Sequence, residues 1–136
     1  ITGAFLCAGQ AVKAMSTRHG HHGGVIVNIS SRAAILGSGN RYVDYAASKA
    51  ALDALTVGLA KEVALEGIRV NGVRPGIIHT SIHDKNGGAA NLQEGLKTIP
   101  MQRIGTPEDI ANAVVWLLSD ASAYMTGSFI DVSGGR

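Results

Sequence analysis

A tyrosine and a lysine stand four positions apart in the stretch DYAASKAAL, residues 44–52. Residues at this spacing share one face of an α-helix, so Tyr45 and Lys49 would place a phenol beside an ammonium group. A nearby positive charge favours the phenolate form, and such a phenol can exchange a proton with an alcohol or a carbonyl. The pair indicates acid–base chemistry, although the same spacing also occurs on exposed helices that have no catalytic role.

Two further patterns fall where strands are predicted to end. The segment VIVNIS, Val25–Ser30, is short and rich in β-branched residues, as in a strand buried on both faces of a parallel sheet, and Ser31 follows it. The segment IRVNGVRPG predicts a second such strand, which ends in a rigid turn at Pro75 and Gly76. Carboxyl ends of parallel strands meet at the edge where open α/β sheets bind ligands. We therefore expect these residues to lie near the tyrosine–lysine pair.

Two choices between neighbouring residues arise at this edge. Ser30 and Ser31 would point to opposite sides of the sheet, and a serine there could instead bond its own backbone as a turn former. Tyr42 competes with Tyr45 as the acid, but the residue four positions after Tyr42 is Ala46, which cannot influence a phenol. The residues favour Tyr45 and leave the serine open.

The elements that would carry these residues alternate between helices and strands. Apolar spacing predicts a helix over Thr2–His19 and a longer one over Tyr42–Glu66, between the two strands. A third begins after Thr106 with a proline and a capping acid, and TGSFIDVSGG supplies a third strand. Strand, helix and strand joined by short links imply a parallel sheet with a right-handed crossover.

Two connecting segments lack a clear periodic pattern. The segment SRAAILGSGNR, residues 31–41, is predicted to be a polar loop. The chain after Pro75 is irregular through Asn91 and weakly helical to about Thr98, and such a long, poorly patterned stretch is typical of a binding loop. We expect substrate specificity to reside in residues 81–99.

Composition excludes several classes of function. The 136 residues, 46% of them hydrophobic, suit one globular domain, and the net charge of +2 is spread without a basic stripe, so nucleic acid is not an expected partner. Cys7 is the single cysteine, which favours a reducing, cytoplasmic setting. No apolar run reaches the roughly 18 residues that a membrane span needs, so no membrane association is expected.

Three histidines lie in a glycine-rich turn. His19, His21 and His22 match the spacing of no closed metal site, and no cysteine or carboxylate is close in sequence. We therefore expect a solvated loop and no bound metal.

Five segments, in order and at their spacings, resemble the short-chain dehydrogenase/reductase family along the whole chain. They are NISS, YAASK, NGVRPGIIHT, PEDIANAVVWLLSD and YMTGSFIDVSGG. The wording YVDYAASK and the ending are similar to bacterial members described as glucose-1-dehydrogenase-like. The resemblance implies an α/β fold, the second half of a doubly wound Rossmann-like parallel sheet with flanking helices.

The resemblance also implies a function. It is that of an NAD(P)-dependent oxidoreductase, with reversible hydride transfer between the nicotinamide and a secondary alcohol, a ketone or a sugar. The alternative is a catalytically silent protein that uses the same fold to bind a dinucleotide or to assemble with partners.

The family pattern further implies a role for each matched residue. Tyr45 would be the general acid and base, Lys49 would bond the nicotinamide ribose, and Ser31, which the family spacing prefers to Ser30, would hold the substrate oxygen. The cofactor, NAD or NADP, would be contacted by Tyr45, Lys49, Pro75, Gly76, Ile78 and Thr80.

The glycine-rich fingerprint of a dinucleotide-binding half is not found, because neither GHHGG nor GSGNRY has its spacing. We therefore expect residues 1–136 to be the C-terminal, catalytic half of a single Rossmann-like domain. On this interpretation Ile1 is a break inside a longer protein, and the 136 residues alone would be inactive.

A stripe of small residues along the long helix would permit close packing against another surface. It consists of Ala47, Ala50, Ala51, Ala54 and Gly58. The stripe could pack on the protein's own sheet, but the corresponding helix of the family commonly forms a subunit interface. We expect a homo-oligomer, a dimer or a tetramer, and we expect Trp116 in the core.

Overall fold

The structure, a computed structural model, describes residues 1–81 and 88–136. Its helices are α1 (Thr2–Met15), α2 (Ala33–Leu36), α3 (Val43–Val63), α4 (Gly88–Leu96) and α5 (Pro107–Leu118). Its strands are β1 (Gly24–Ile29), β2 (Ile68–Pro75) and β3 (Phe129–Val132). The three strands form a parallel sheet in the order β1-β2-β3, so the predicted α/β architecture is confirmed.

Side chains of β2 alternate between two helical layers. Ile68 and Val70 are buried against α3, together with Ala60 and Val63 of that helix, and α1 adds partly buried residues to the same cluster. On the other face, the guanidinium of Arg69 donates to carbonyl oxygens at the end of α5, including that of Leu117 at 3.1 Å. The sheet is thus covered on both faces, as a parallel sheet requires.

The start of α5 matches the sequence prediction. Thr106 caps the helix by accepting from the Asp109 backbone N–H, while Asp109 accepts from the Thr106 backbone N–H at 2.9 Å. Pro107 occupies the first turn, where its missing N–H costs nothing. These interactions are local in sequence, which is why the pattern alone predicted them.

Three expectations were wrong. The predicted polar loop contains a one-turn helix, α2, which Gly37 ends in the left-handed conformation at φ 77°. Helix α4 ends at Leu96, within the segment predicted to be weakly helical, but it begins at Gly88, inside the stretch predicted to be irregular. Residues 82–87 of the expected binding loop lie outside the described part. Trp116 is 41% exposed rather than in the core.

Other features of the described residues bear on the class of protein. The three histidines are exposed, and no cluster of histidine, cysteine and acidic side chains in the described ranges could hold a metal ion. Among the described helices, none has the length and apolar character needed to cross a membrane.

The cap of α5 predicts a pH-dependent contribution to stability. Hydrogen bonds from Arg103 and from the Thr106 backbone lower the pKa of Asp109 from 3.8 to about 2. Because the folded-state pKa lies below the unfolded one, the contribution is present above about pH 4 and is lost as the pH falls toward 2. Replacing Asp109 by Asn should remove this pH dependence, measured as the free energy of urea unfolding between pH 2 and 6.

The neighbouring acid provides the control. Glu108 lies in the same first turn but outside the capping box, so Glu108→Gln should retain the pH dependence of the parent. If the free energy of unfolding depended equally on pH in Asp109→Asn and in Glu108→Gln, the assignment of this contribution to Asp109 would be contradicted.

Candidate active site

The ends of β1 and β2 bring the predicted site residues to one edge of the sheet. Beyond β1, the backbone N–H of Ser30 donates to the Val73 carbonyl at 2.8 Å, and that of Arg32 donates to the Pro75 carbonyl at 3.0 Å. Ser31 lies between these two bonds and therefore sits beside the end of β2. Its neighbours at the edge include the Pro75–Gly76 turn, as predicted.

Tyr45 and Lys49 occupy the first two turns of α3, which begins at Val43 next to this edge. The Lys49 Nζ lies 5.7 Å from the centre of the Tyr45 ring and donates to the Ile29 carbonyl oxygen at 2.9 Å. The phenol is exposed. The structure therefore places a phenol and an ammonium group together beside the end of β1.

The two serines have different partners. Ser30 is buried, and its hydroxyl donates to the backbone carbonyl oxygen of Lys49 at 3.3 Å. Ser31 is half-buried, and its hydroxyl oxygen accepts from the Ala33 backbone N–H at 3.1 Å. Accepting that bond leaves the Ser31 hydroxyl proton for another acceptor. Of the two, Ser31 is the one whose O–H could reach a ligand at the edge.

The segment after β2 is held by packing and by a short bridge. A Cβ atom on Gly76 would lie 2.7 Å from the Cα of Ser133, so this position needs glycine for close approach of the chain after β3. Ile78 pairs with Gly105 in an isolated parallel bridge, in which the Gly105 N–H donates to the Ile77 carbonyl at 3.0 Å. Thr80 follows two residues later and is half-buried.

The polar groups at the edge suit a nicotinamide nucleotide. An ammonium group carries three donors, and Ile29 takes one of those of Lys49, which leaves two for ribose hydroxyls among the contacts that the structure describes. The Gly76–Ile78 segment offers a fixed backbone next to the same edge. Lys49, Tyr45, Thr80 and this segment could hold such a nucleotide.

A charged network runs below this edge, on the face that α3 covers. Arg74 donates from Nε to Asp53 Oδ2 at 2.8 Å, and its Nη1 lies 3.7 Å from Asp131 Oδ1. Its guanidinium lies 3.8 Å above the centre of the Phe129 ring, where Gly72 leaves room for that ring. Asp131 in turn accepts from Arg32, the residue after Ser31. The network links α3 to the loop that carries Ser31.

Sequence reasoning missed this network and the contact made by Ser30. A signal for the network was present, because Arg74 interrupts an apolar strand predicted to be buried, and a buried charge needs a partner. A search for an acidic partner on the helix would have found Asp53, one helical turn after Lys49. No signal in the sequence reports the Ser30 contact, because it joins positions whose distance depends on helix packing.

The fold matches that of known proteins. A crystal structure of a short-chain dehydrogenase/reductase from Burkholderia xenovorans aligns with a TM-score of 0.88 at 37% identity, covering 99% of this chain and 50% of that one. A family model described as enoyl-(acyl carrier protein) reductase matches residues 1–136. The chain belongs to the short-chain dehydrogenase/reductase family.

Two further proteins are similar to this chain. An uncharacterised oxidoreductase of Escherichia coli K12 is 55% identical over 136 residues, which are 100% of this chain and 55% of that protein. A crystal structure described as a 2-deoxy-D-gluconate 3-dehydrogenase of Agrobacterium tumefaciens, with bound NADP, aligns at a TM-score of 0.77 and 39% identity over 84% of this chain and 46% of that one. The chain spans about half the length of the curated relatives it matches.

The Arg74–Asp53 pair predicts a large loss of stability when it is broken. Both side chains are mostly buried, at 17% and 14% exposure, and the Asp53 Oδ1 atom is buried without a hydrogen-bond partner among the described residues. Arg74→Met should therefore lower the free energy of urea unfolding by about 3 kcal/mol, because it leaves a buried carboxylate unpaired.

Arg41→Met is the matched control, because it breaks an exposed ion pair with Glu94. It should cost less than about 1 kcal/mol. Equal losses of unfolding free energy in Arg74→Met and Arg41→Met would contradict the assignment of Arg74 and Asp53 as a buried ion pair.

Proposed function

We propose that the protein carrying this chain is an NAD(P)-dependent oxidoreductase that interconverts a secondary alcohol, or a sugar hydroxyl, and the corresponding ketone. The observation that carries the proposal is the position of the Lys49 Nζ, between the Ile29 carbonyl oxygen at 2.9 Å and the Tyr45 ring centre at 5.7 Å. An ammonium group held beside an exposed phenol, at the carboxyl edge of a parallel sheet, suits proton exchange with a bound alcohol.

Tyr45 would handle the proton of the substrate oxygen. In the oxidation direction its phenolate oxygen accepts the hydroxyl proton, and in the reduction direction the phenol returns a proton to the carbonyl oxygen. A bound nicotinamide accepts or supplies the hydride. Lys49 keeps a positive charge beside the phenol, and Ser31 donates its hydroxyl proton to the substrate oxygen, so that charge developing there is stabilised.

The proposal also concerns the substrate class and the oligomeric state. The resemblance to glucose-1-dehydrogenase-like members remains a prediction. The Agrobacterium neighbour, described as acting on a sugar acid, supports including sugars among the candidate substrates.

A homo-oligomer also remains a prediction. Ala47, Ala50, Ala54 and Gly58 are exposed, so most of the small-residue stripe does not pack on the three-stranded sheet that the structure describes. Light scattering of the full-length protein tests its assembly.

The test is a screen of the full-length protein with NAD and NADP against secondary alcohols, ketones and sugars, followed by nicotinamide absorbance. Tyr45→Phe should lower kcat at least about 100-fold, because the phenyl ring cannot exchange a proton. Tyr42→Phe makes the same chemical change three residues away and should keep activity within about twofold.

Two outcomes would contradict the proposal. Full activity in the Tyr45 variant would remove the acid–base role of that residue. Binding of either nucleotide, without turnover of any substrate, would favour the catalytically silent alternative.

A further inference from the structure

The side chain and the backbone of Lys49 each make a hydrogen bond to the end of β1. The partners are Ile29, the last residue of the strand, and Ser30, the residue after it. The side-chain Nζ donates to the Ile29 carbonyl oxygen at 2.9 Å, and the backbone carbonyl oxygen accepts from the Ser30 hydroxyl at 3.3 Å. Ser30 is 3% exposed and Lys49 is half-buried, so the donor of this second bond has little contact with water. Two consecutive residues of one chain segment therefore fix the position of one helical residue.

The second bond matters because a lysine side chain alone is a loose connection. Its four-carbon stem is flexible, and the site that its ammonium group reaches depends on where the helix backbone stands. Asn28 and Thr56 make another side-chain bond between β1 and α3, at 2.8 Å, but Thr56 lies about two turns farther along the helix. Among the described contacts, the Ser30 hydroxyl is the side-chain donor that ties the α3 backbone to β1 at Lys49.

The partners of the neighbouring serines support a division of roles. Ser31 accepts a bond within its own loop and keeps its hydroxyl proton at the sheet edge, whereas Ser30 turns its hydroxyl to the helix. Ser30 therefore reaches Lys49 through the backbone and does not touch the reacting groups.

We infer that Ser30 is a positioning residue, whose hydroxyl sets the first turns of α3 against the end of β1 so that the Lys49 ammonium stays beside Tyr45. This inference rests on the proposed function. The Lys49 carbonyl can still accept its ordinary helical bond when Ser30 is replaced by Ala, so that variant should fold.

The first measurement needs no substrate. Hydrogen–deuterium exchange of the full-length protein should show faster exchange in the turn after Lys49, residues 49–53, in Ser30→Ala. Thr56→Val is the matched control, because it also removes a buried hydroxyl from the contact between β1 and α3. Its faster exchange should be confined to the turns nearer Thr56.

The second measurement is the steady-state kinetics of alcohol oxidation. Ser30→Ala should lower kcat about tenfold, with KM within about twofold, because the ammonium is no longer held beside the phenol. Thr56→Val should lower the unfolding midpoint at least as much as Ser30→Ala does, yet keep the parent's kcat and KM.

The outcomes separate this inference from the proposed function. A Ser30→Ala protein with the hydrogen exchange and the kcat of the parent would overturn the role of Ser30 alone, as would a Thr56→Val protein with the same kinetic changes as Ser30→Ala. A parent protein that turns over no alcohol, ketone or sugar would overturn the oxidoreductase proposal.

Discussion

The hydrogen bond from the Lys49 ammonium to the Ile29 carbonyl oxygen is the interaction on which the candidate site depends. It joins a helix to the end of a strand at the point where the strand ladder stops and its backbone groups become available to side chains. Without it, a flexible lysine on the first turns of a helix would sample many positions. With it, one positive charge stands beside the Tyr45 ring and next to the edge where Ser31 lies.

That edge is itself held together by contacts made at a distance from the phenol. The Arg74 network crosses from α3 to β3 and on to Arg32, so the helix that carries Lys49 and the loop that carries Ser31 share charged partners. Gly76 allows the chain after β3 to come within contact of the chain after β2. The contacts of Arg74 and Gly76 therefore help to fix the positions of the polar groups at the edge of the sheet.

Much of the fold could be predicted from the sequence because its signals are local. β-Branched runs bounded by glycine gave the strands, and the capping residues before α5 gave its start to the residue. The Tyr45–Lys49 pair and the edge that it shares with Pro75 follow from helical spacing and from the parallel sheet. Trp116 was assigned wrongly, because an apolar helix pattern does not reveal which part of the apolar surface packs against the other described residues. The roles of Ser30 and of Arg74 depend on distances between elements, which no local pattern contains.

A crystal structure of the full-length protein with a bound nicotinamide dinucleotide tests the central claim most directly. It should show ribose hydroxyls within hydrogen-bond distance of the Lys49 Nζ and the nicotinamide against the segment from Gly76 to Ile78. A dinucleotide bound away from the Lys49 ammonium, with no contact to that segment, would contradict the account.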